Sequence, residues 1–179
     1  MSRYVVAAAA IAMLGVTVSA QKITPVHEGK GGSPHVRTDW TVDGAAISIE
    51  YGRPSLKGRT VGKEVAPYGR VWRAGADEAT TLKTDKPLKF GTLSVPAGTY
   101  TLFTLPGEKE WQLIVSKKTG QWGTQYSEGD DLGRVPMQVG TAKSAAEQLT
   151  YSIDDTSAGG TLRIEWGTTS ASVPFTVGK

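Results

Sequence analysis

The sequence contains no cysteine and only two histidines, His27 and His35. Without cysteine, the chain cannot form a disulfide, a thiolate zinc site or a cysteine nucleophile. The two histidines stand eight residues apart, in neither an H-x-H nor an H-x-x-x-H pattern, so we expect no zinc or iron site and no cofactor. A serine hydrolase is disfavoured as well, because the sequence lacks a G-x-S-x-G elbow and a histidine with recognisable triad partners.

A strong charge of one sign is also missing. The chain has 20 Lys and Arg against 17 Asp and Glu, for a formal net charge of +3. This balance is too mild to indicate a nucleic-acid partner. The acidic tract 127–131 matches known calcium loops poorly, so solvated loop carboxylates are favoured there over a metal site.

The one long apolar run lies at the N-terminus, where residues 1–20 are typical of a cleavable signal peptide. Arg3 is the only charged residue before Lys22, and Val18-Ser19-Ala20 is suited to cleavage before Gln21. A membrane-spanning helix needs about 20 strongly apolar residues, and much of this run is alanine. We therefore expect a signal helix that is removed, no stable membrane insertion after cleavage, and a periplasmic or secreted product.

The remainder of the chain has the pattern of a β-protein. Residues 21–33 are polar, glycine-rich and aperiodic, which predicts a disordered leader. From Pro34 onward, apolar and polar residues alternate with a period of two, as in half-buried strands. Asp43-Gly44 and Pro96-Ala97-Gly98 supply turns between these runs. We expect one all-β domain over residues 34–177, a single antiparallel β-sandwich for which a jelly roll is one arrangement.

Two details refine this expectation. Residues 142–148 form the only plausible helical turn of the domain. Trp40, Trp111 and Trp166 stand on the apolar phase of predicted strands, so we expect them in the core. Neither the order of the strands nor the oligomeric state follows from the alternation.

Residues 52–73, which we term the basic segment, depart from the alternation. Glycines and prolines interrupt the segment, and its six basic residues stand against one acid, Glu64, for a local net charge of +5. Loops longer than about 12–15 residues are uncommon in compact domains and tend to be functional or disordered. The apolar residues Tyr68, Val71 and Trp72 favour an ordered segment, because they can dock on the sandwich.

Four stretches of the sequence form long, specific motifs: YGRPSLKGR at 51–59, APYGRVWRAGA at 66–76, PAGTYTLFT at 96–104 and QWG at 121–123. Together they resemble the domain-of-unknown-function 2911 family. The resemblance spans residues 34–177 and implies an exported bacterial domain rich in β-structure. The family has no established activity and no assigned functional residues, so no residue role is transferred from it.

The basic segment suggests a ligand site. A guanidinium group presents a planar fork that matches carboxylate or phosphate, and a neighbouring aromatic ring can stack on a sugar or another flat group. The favoured function is therefore a non-catalytic binding module for an anionic, polar or carbohydrate small molecule. The candidate ligand-binding residues are Arg53, Arg59, Tyr68, Arg70, Trp72, Arg73 and Trp122. Most of these arginines are expected to bond carbonyls or acids of the protein itself, leaving one or two to face a ligand.

Two other functions stay open at this point. An extracytoplasmic hydrolase or isomerase could use Asp77 or Glu78 beside Arg73, and it predicts a concave pocket around a carboxylate. A structural or partner-binding envelope protein predicts an exposed apolar patch or an open sheet edge instead.

Overall fold

The computed structural model describes residues 21–179, so the predicted signal helix over 1–20 lies outside the described residues. The described chain contains ten strands and one 3-10 turn, Glu128–Asp130. The strands are β1 (Lys22–His27), β2 (His35–Val42), β3 (Ala45–Gly52), β4 (Thr81–Thr84), β5 (Leu88–Phe90), β6 (Leu93–Val95), β7 (Gly98–Leu105), β8 (Glu110–Ser116), β9 (Asp131–Thr156) and β10 (Gly159–Val177). No helix within residues 21–179 has the length and apolarity of a membrane span.

All ten strands belong to one antiparallel sheet, in the order β1-β2-β3-β4-β7-β8-β9-β10-β5-β6. The sheet folds over on itself. Tyr51 of β3 and Tyr151 of β9 are separated by three strands in that order, yet their ring centroids lie 4.6 Å apart. The backbone N–H of Tyr151 also donates to the Tyr51 hydroxyl at 3.2 Å. The all-β antiparallel fold predicted from the alternation is confirmed.

The core lies between the two halves of this folded sheet. Strand β2 alternates between buried and more exposed residues along its length, as its sequence pattern predicts. Trp40, Trp111 and Trp166 are all buried in the core, together with apolar side chains from most other strands. The predicted burial of these three tryptophans is therefore confirmed, and burial of such large side chains is a major source of stability.

The helical turn predicted over residues 142–148 is wrong, because these residues lie within β9. Thr141 and Ala146 pair with Thr169 and Gly167 of β10, with shifts of register between the pairs. Backbone partners from the neighbouring strand thus override the local helix preference of the alanines.

The prediction of a disordered leader over 21–33 is also wrong for its first half. Residues 22–27 form β1, an edge strand that pairs with β2 from Lys22 opposite Asp39 to His27 opposite His35. Nearly all of its side chains are exposed, so the strand is held by backbone hydrogen bonds rather than by burial. A strand exposed on both faces has no hydrophobic alternation, which explains why the sequence pattern did not reveal it.

The basic segment belongs to the long connection from β3 to β4, and it is ordered against the sheet. The Leu56 and Leu149 backbone N–H groups donate to Glu147 and Pro54 at 2.8 and 3.0 Å, which docks the start of the segment on β9. Further along, the Trp72 N–H donates to the Thr104 carbonyl at 2.7 Å.

The backbone of this connection departs from ordinary geometry. Lys57, Ala66, Ala74 and Asp77 have positive φ angles, and only one other non-glycine residue among the described ones, Asp43, does so. Such conformations are costly and persist only when tertiary contacts hold them. One such contact is the Tyr151 hydroxyl, which donates to the Ala74 carbonyl at 2.7 Å.

Candidate functional site

A cavity of about 630 Å³ lies between the basic segment and the sheet, and we term it the main cavity because several of the predicted site residues line it. The turn at residues 31–33 and the loop at 123–126 complete its wall. Its volume falls within the range of about 300–1,000 Å³ that is typical of small-molecule sites. Charged and aromatic side chains line it, among them Arg59, Trp72, Arg73, Phe103, Tyr126 and Trp166. A cleft of about 720 Å³ beside β2 and β3 is lined by none of the predicted site residues.

One side of the main cavity is aromatic. The rings of Trp72 and Trp166 are stacked, with centroids 5.6 Å apart and planes 12° apart. Phe103 and Tyr126 form a second, edge-on pair with centroids 5.0 Å apart. Because Trp72 is fixed by backbone bonds to Thr104 and Trp166 belongs to the core, this aromatic wall is preformed.

Tyr126 is held in place by a charged network at the edge of the cavity. Its hydroxyl donates to Asp131 Oδ2 at 2.9 Å and accepts from Arg134 Nη2 at 2.6 Å. Burial and the bond to Asp131 raise the pKa of Tyr126 to about 12. Arg134 also pairs with Glu128 at 3.0 Å, so two carboxylates of the acidic tract 127–131 are ion-paired rather than merely solvated.

Arg73 is the cationic group that stands apart in this cavity. It is half-buried and lines the cavity, yet no hydrogen bond or ion pair within residues 21–179 reaches its guanidinium group. Its aliphatic stem crosses Gly123 so closely that a Cβ atom at 123 would lie 2.8 Å from Arg73 Cδ. Glycine at 123 therefore makes room for the arginine, and the guanidinium group is left with unused donors.

The other predicted arginines are occupied elsewhere. Arg53 donates from Nε to the Leu149 carbonyl and from Nη2 to the Thr150 hydroxyl, both at 3.1 Å. Arg59 lines the main cavity but donates to the carbonyls of Leu56 and Ser55, at 2.9 and 2.8 Å. Arg70 is exposed and does not line the cavity.

The two remaining predicted aromatic residues, Tyr68 and Trp122, do not line the main cavity. Tyr68 is 40% exposed, and its ring covers Gly62 so closely that a Cβ atom there would lie 2.2 Å from the ring. Trp122 lies outside the main cavity, with the Lys30 ammonium group 5.2 Å from its ring centroid. Of the seven predicted residues, the structure thus brings Arg59, Trp72 and Arg73 to one cavity and places the other four elsewhere.

The two acids considered for catalysis face different spaces. Asp77 is buried at the wall of the main cavity, and its carboxylate accepts the Lys30 backbone N–H at 3.0 Å. Neither Asp77 nor Glu78 forms an ion pair with Arg73. Glu78 instead lines a separate cleft of about 240 Å³ that also contains both histidines, which we term the histidine cleft.

The histidine cleft is the feature that sequence reasoning missed. His27 and His35 lie opposite each other on β1 and β2, and their rings stack with centroids 4.2 Å apart. His35 Nε2 lies 3.1 Å from Glu78 Oε2 and 3.7 Å from Asp77 Oδ2. Burial and the neighbouring His27 lower the pKa of His35, whereas the carboxylates of Glu78 and Asp77 act to raise it.

The signal that could have revealed this pair is the turn between the histidines. Gly29, Gly31 and Gly32 lie midway between His27 and His35, as expected for a hairpin whose arms place the two histidines side by side. The prediction of no metal site was based on the spacing of the two histidines along the chain and on a disordered leader that included His27. Residues 22–27 instead form strand β1, which places His27 beside His35.

Comparison with known proteins gives a family and no function. The chain matches the family model described as protein of unknown function (DUF2911) over residues 33–175, and it therefore belongs to that family. The resemblance drawn from the four sequence motifs is confirmed. Neither the curated proteins nor the solved structures contain a match to this chain.

Proposed function

We propose that this member of the DUF2911 family binds, without catalysis, a small organic anion that carries a flat apolar or sugar group. The proposed site is the main cavity. The observation that supports it most is Arg73, a half-buried residue that lines the cavity and whose guanidinium group has no partner among residues 21–179.

The argument from Arg73 is energetic. Removing a charged group from water costs free energy unless hydrogen bonds or an opposite charge compensate for the loss. No hydrogen bond or ion pair within residues 21–179 uses the Arg73 guanidinium group, so a carboxylate or phosphate in the cavity would meet free donors. With Lys57 and Arg59, the cavity lining has three cationic side chains against the two carboxylates of Glu64 and Asp77. The two bonds of Arg59 also leave some of its five N–H donors free.

The aromatic wall supports the second half of the proposal. Trp72 and Trp166 present fixed indole rings beside the cationic side chains, and such rings pack against sugars and flat apolar groups. A few polar groups that set orientation, beside apolar groups that supply contact area, make up the usual composition of a small-molecule site. A ligand with both an anionic and a flat portion would use both parts of the cavity.

The two alternatives have less support. An enzyme using Asp77 or Glu78 beside Arg73 is less well supported, because Glu78 faces the histidine cleft. Asp77 lines the main cavity with Arg73, but its carboxylate accepts the Lys30 backbone N–H and forms no ion pair with Arg73. A partner-binding envelope protein would use the edge strand β1, where Ile23 and Val26 are exposed. Two side chains form a small apolar surface compared with known interaction patches.

We also propose that the protein acts in the periplasm or outside the cell, after cleavage of residues 1–20. The support is the signal-peptide pattern, with its cleavage motif before Gln21. Intact-mass measurement of the protein from the extracytoplasmic fraction of a bacterial host is expected to give a chain that begins at Gln21. Retention of the full chain in the cytoplasm would contradict export.

Binding can be tested by titrating the protein with phenyl phosphate and following tryptophan fluorescence, with heat measured by calorimetry in parallel. Inorganic phosphate and benzyl alcohol serve as the anionic and the apolar halves of the probe. We expect saturable binding of phenyl phosphate, weaker binding of phosphate and none of benzyl alcohol. Arg73→Gln is expected to weaken phenyl phosphate binding at least tenfold, whereas the exposed Arg70→Gln is the matched control and should leave it unchanged.

Glucose 6-phosphate and glucuronate, tested in the same way, extend the probes to sugars that carry phosphate or carboxylate. The proposal is contradicted if none of these anions binds wild-type protein. It is equally contradicted if Arg70→Gln and Arg73→Gln weaken binding to the same extent, since binding would then depend on overall charge rather than on the cavity.

A further inference from the structure

The histidine cleft contains a buried nitrogen and a buried oxygen that lack ordinary partners. His35 is only 3% exposed, and its Nε2 atom has no hydrogen-bond partner among the described residues. Glu78 Oε2 is likewise buried and without a hydrogen bond, although it lies within ion-pair distance, 3.1 Å, of that nitrogen. Buried polar atoms normally find partners, and each exception calls for a reason.

The spacing of these atoms is that of two ligands on one metal ion. In a tetrahedral site with metal–ligand bonds of about 2.0–2.1 Å, neighbouring ligand atoms lie about 3.3 Å apart. The separation of 3.1 Å between His35 Nε2 and Glu78 Oε2 is close to that value. A shared ion would satisfy both lone pairs at once, which no group of the described protein does.

His27 supplies a third ligand from the facing strand. Its Nε2 atom lies 4.0 Å from Glu78 Oε2, and one ligand atom from each of His27, His35 and Glu78 falls within 4.8 Å of the others. The rings of His27 and His35 are stacked, so their in-plane lone pairs converge on one ion only after the His27 ring turns out of the stack. The side chains of His27 and Glu78 are 45% and 44% exposed, which leaves room for that rotation. Three protein ligands with one open position form the usual arrangement of a site that also accepts water or a ligand.

We propose that His27, His35 and Glu78 bind a divalent transition-metal ion of the zinc class in the histidine cleft. Two imidazoles and a carboxylate suit Zn²⁺ and its neighbours, whereas Ca²⁺ and Mg²⁺ prefer oxygen ligands. Asp77, whose carboxylate lies 3.7 Å from His35 Nε2, and Glu50, which lines the same cleft, add negative charge that favours a cation.

Metal binding at His27 has a local structural consequence. His27 Nδ1 accepts the Gly29 backbone N–H at 3.1 Å, so the ring proton of the neutral imidazole belongs on Nε2. When Nε2 binds a metal, that proton moves to Nδ1 and the bond from Gly29 is lost. The Gly29 amide is therefore a reporter of ligation by His27 that does not depend on any activity.

The test uses the full chain without a polyhistidine tag, treated with a chelator and titrated with ZnCl₂ or MgCl₂ in a calorimeter. We expect one Zn²⁺ per chain, no binding of Mg²⁺, a melting temperature that rises with Zn²⁺ concentration, and a shift of the Gly29 amide resonance. His27→Ala and Glu78→Gln are each expected to weaken Zn²⁺ binding at least tenfold. Both positions are partly exposed, so these variants should fold, and unfolding without metal checks this.

Glu28→Gln is the matched control, because it removes an exposed carboxylate next to His27 that is not among the three ligands. It should bind Zn²⁺ as wild type does. The proposal is overturned if folded wild-type protein binds no Zn²⁺, or if His27→Ala and Glu78→Gln bind it as tightly as Glu28→Gln does. Because the chain has only these two histidines, binding that survives in His27→Ala cannot use a pair of imidazoles.

Discussion

The two ends of the basic segment contain arginines with opposite surroundings. At the start, Arg53 donates two hydrogen bonds to β9, and Arg59 closes a turn onto the carbonyls of Ser55 and Leu56. Near the end, Arg73 lines the main cavity, and its guanidinium group donates no hydrogen bond to any residue within 21–179. Arginines at the start of the segment thus stabilise the position of the chain, whereas the arginine near its end faces the cavity.

This difference indicates how the segment combines order with function. A long irregular connection has many backbone groups that need partners, and the first arginines meet part of that need. Once the chain is fixed, a side chain further along can be held in an unsatisfied position, because the free-energy cost is offset by packing elsewhere. The comparison therefore predicts that Arg53 contributes to stability without contributing to binding, and that Arg73 does the reverse.

The largest loss of stability is expected from Trp72, the neighbour of Arg73. Its ring stacks on Trp166 and meets the edge of Trp111. Trp72→Ala removes this packing and should lower the free energy of unfolding by about 3 kcal/mol, within the usual range for large-to-small core changes. Urea unfolding followed by circular dichroism measures the loss. A loss below about 1 kcal/mol would mean that Trp72 is not the residue that anchors the end of the segment.

A smaller loss is expected from Arg53→Gln. The variant removes or weakens two hydrogen bonds from a charged donor, to the Leu149 carbonyl and the Thr150 hydroxyl. Such bonds contribute roughly 1.5–3 kcal/mol, so we expect a loss of about 2 kcal/mol in the same urea experiment. Affinity for phenyl phosphate should stay the same once the protein is folded. A change in affinity without a change in stability would reverse the roles assigned to the two ends.

A third prediction concerns Tyr126, whose pKa is raised to about 12 by burial and by its bond to Asp131. The folded protein holds this proton more tightly than the unfolded chain, where the pKa lies near 10. The resulting stabilisation is therefore complete below about pH 10 and is lost as the pH rises towards 12. Tyr126→Phe cannot titrate, so the stability difference between wild type and variant should shrink over that interval. A difference that is constant from pH 9 to 12 would contradict the assignment.

The sequence was a reliable guide to the strands and a poor one to the sites. Alternation predicts strands when one face is buried, and Trp40, Trp111 and Trp166 lie where it predicts. The same rule misses β1, which is exposed on both faces, and it misreads residues 142–148, whose strand conformation depends on partners distant in the chain.

The sites depend on distances that no local pattern contains. Clustered arginines indicated a binding segment, but which arginine keeps a free guanidinium group is decided by Leu149 and Thr150, almost a hundred residues away from Arg53. The histidine cleft likewise joins His27 and His35 to Glu78 across three parts of the chain. In both cases the residue types were visible in the sequence, and their partners were not.

We infer that Arg73 is held for a ligand rather than for the fold, and the stability of Arg73→Gln without ligand distinguishes the two roles. Because the substitution removes an unpaired charge from a half-buried residue and breaks no hydrogen bond, the free energy of unfolding in urea should stay within about 0.5 kcal/mol of wild type or increase. A loss of about 2 kcal/mol, equal to that expected for Arg53→Gln, would show that Arg73 supports the fold, and it would contradict the account.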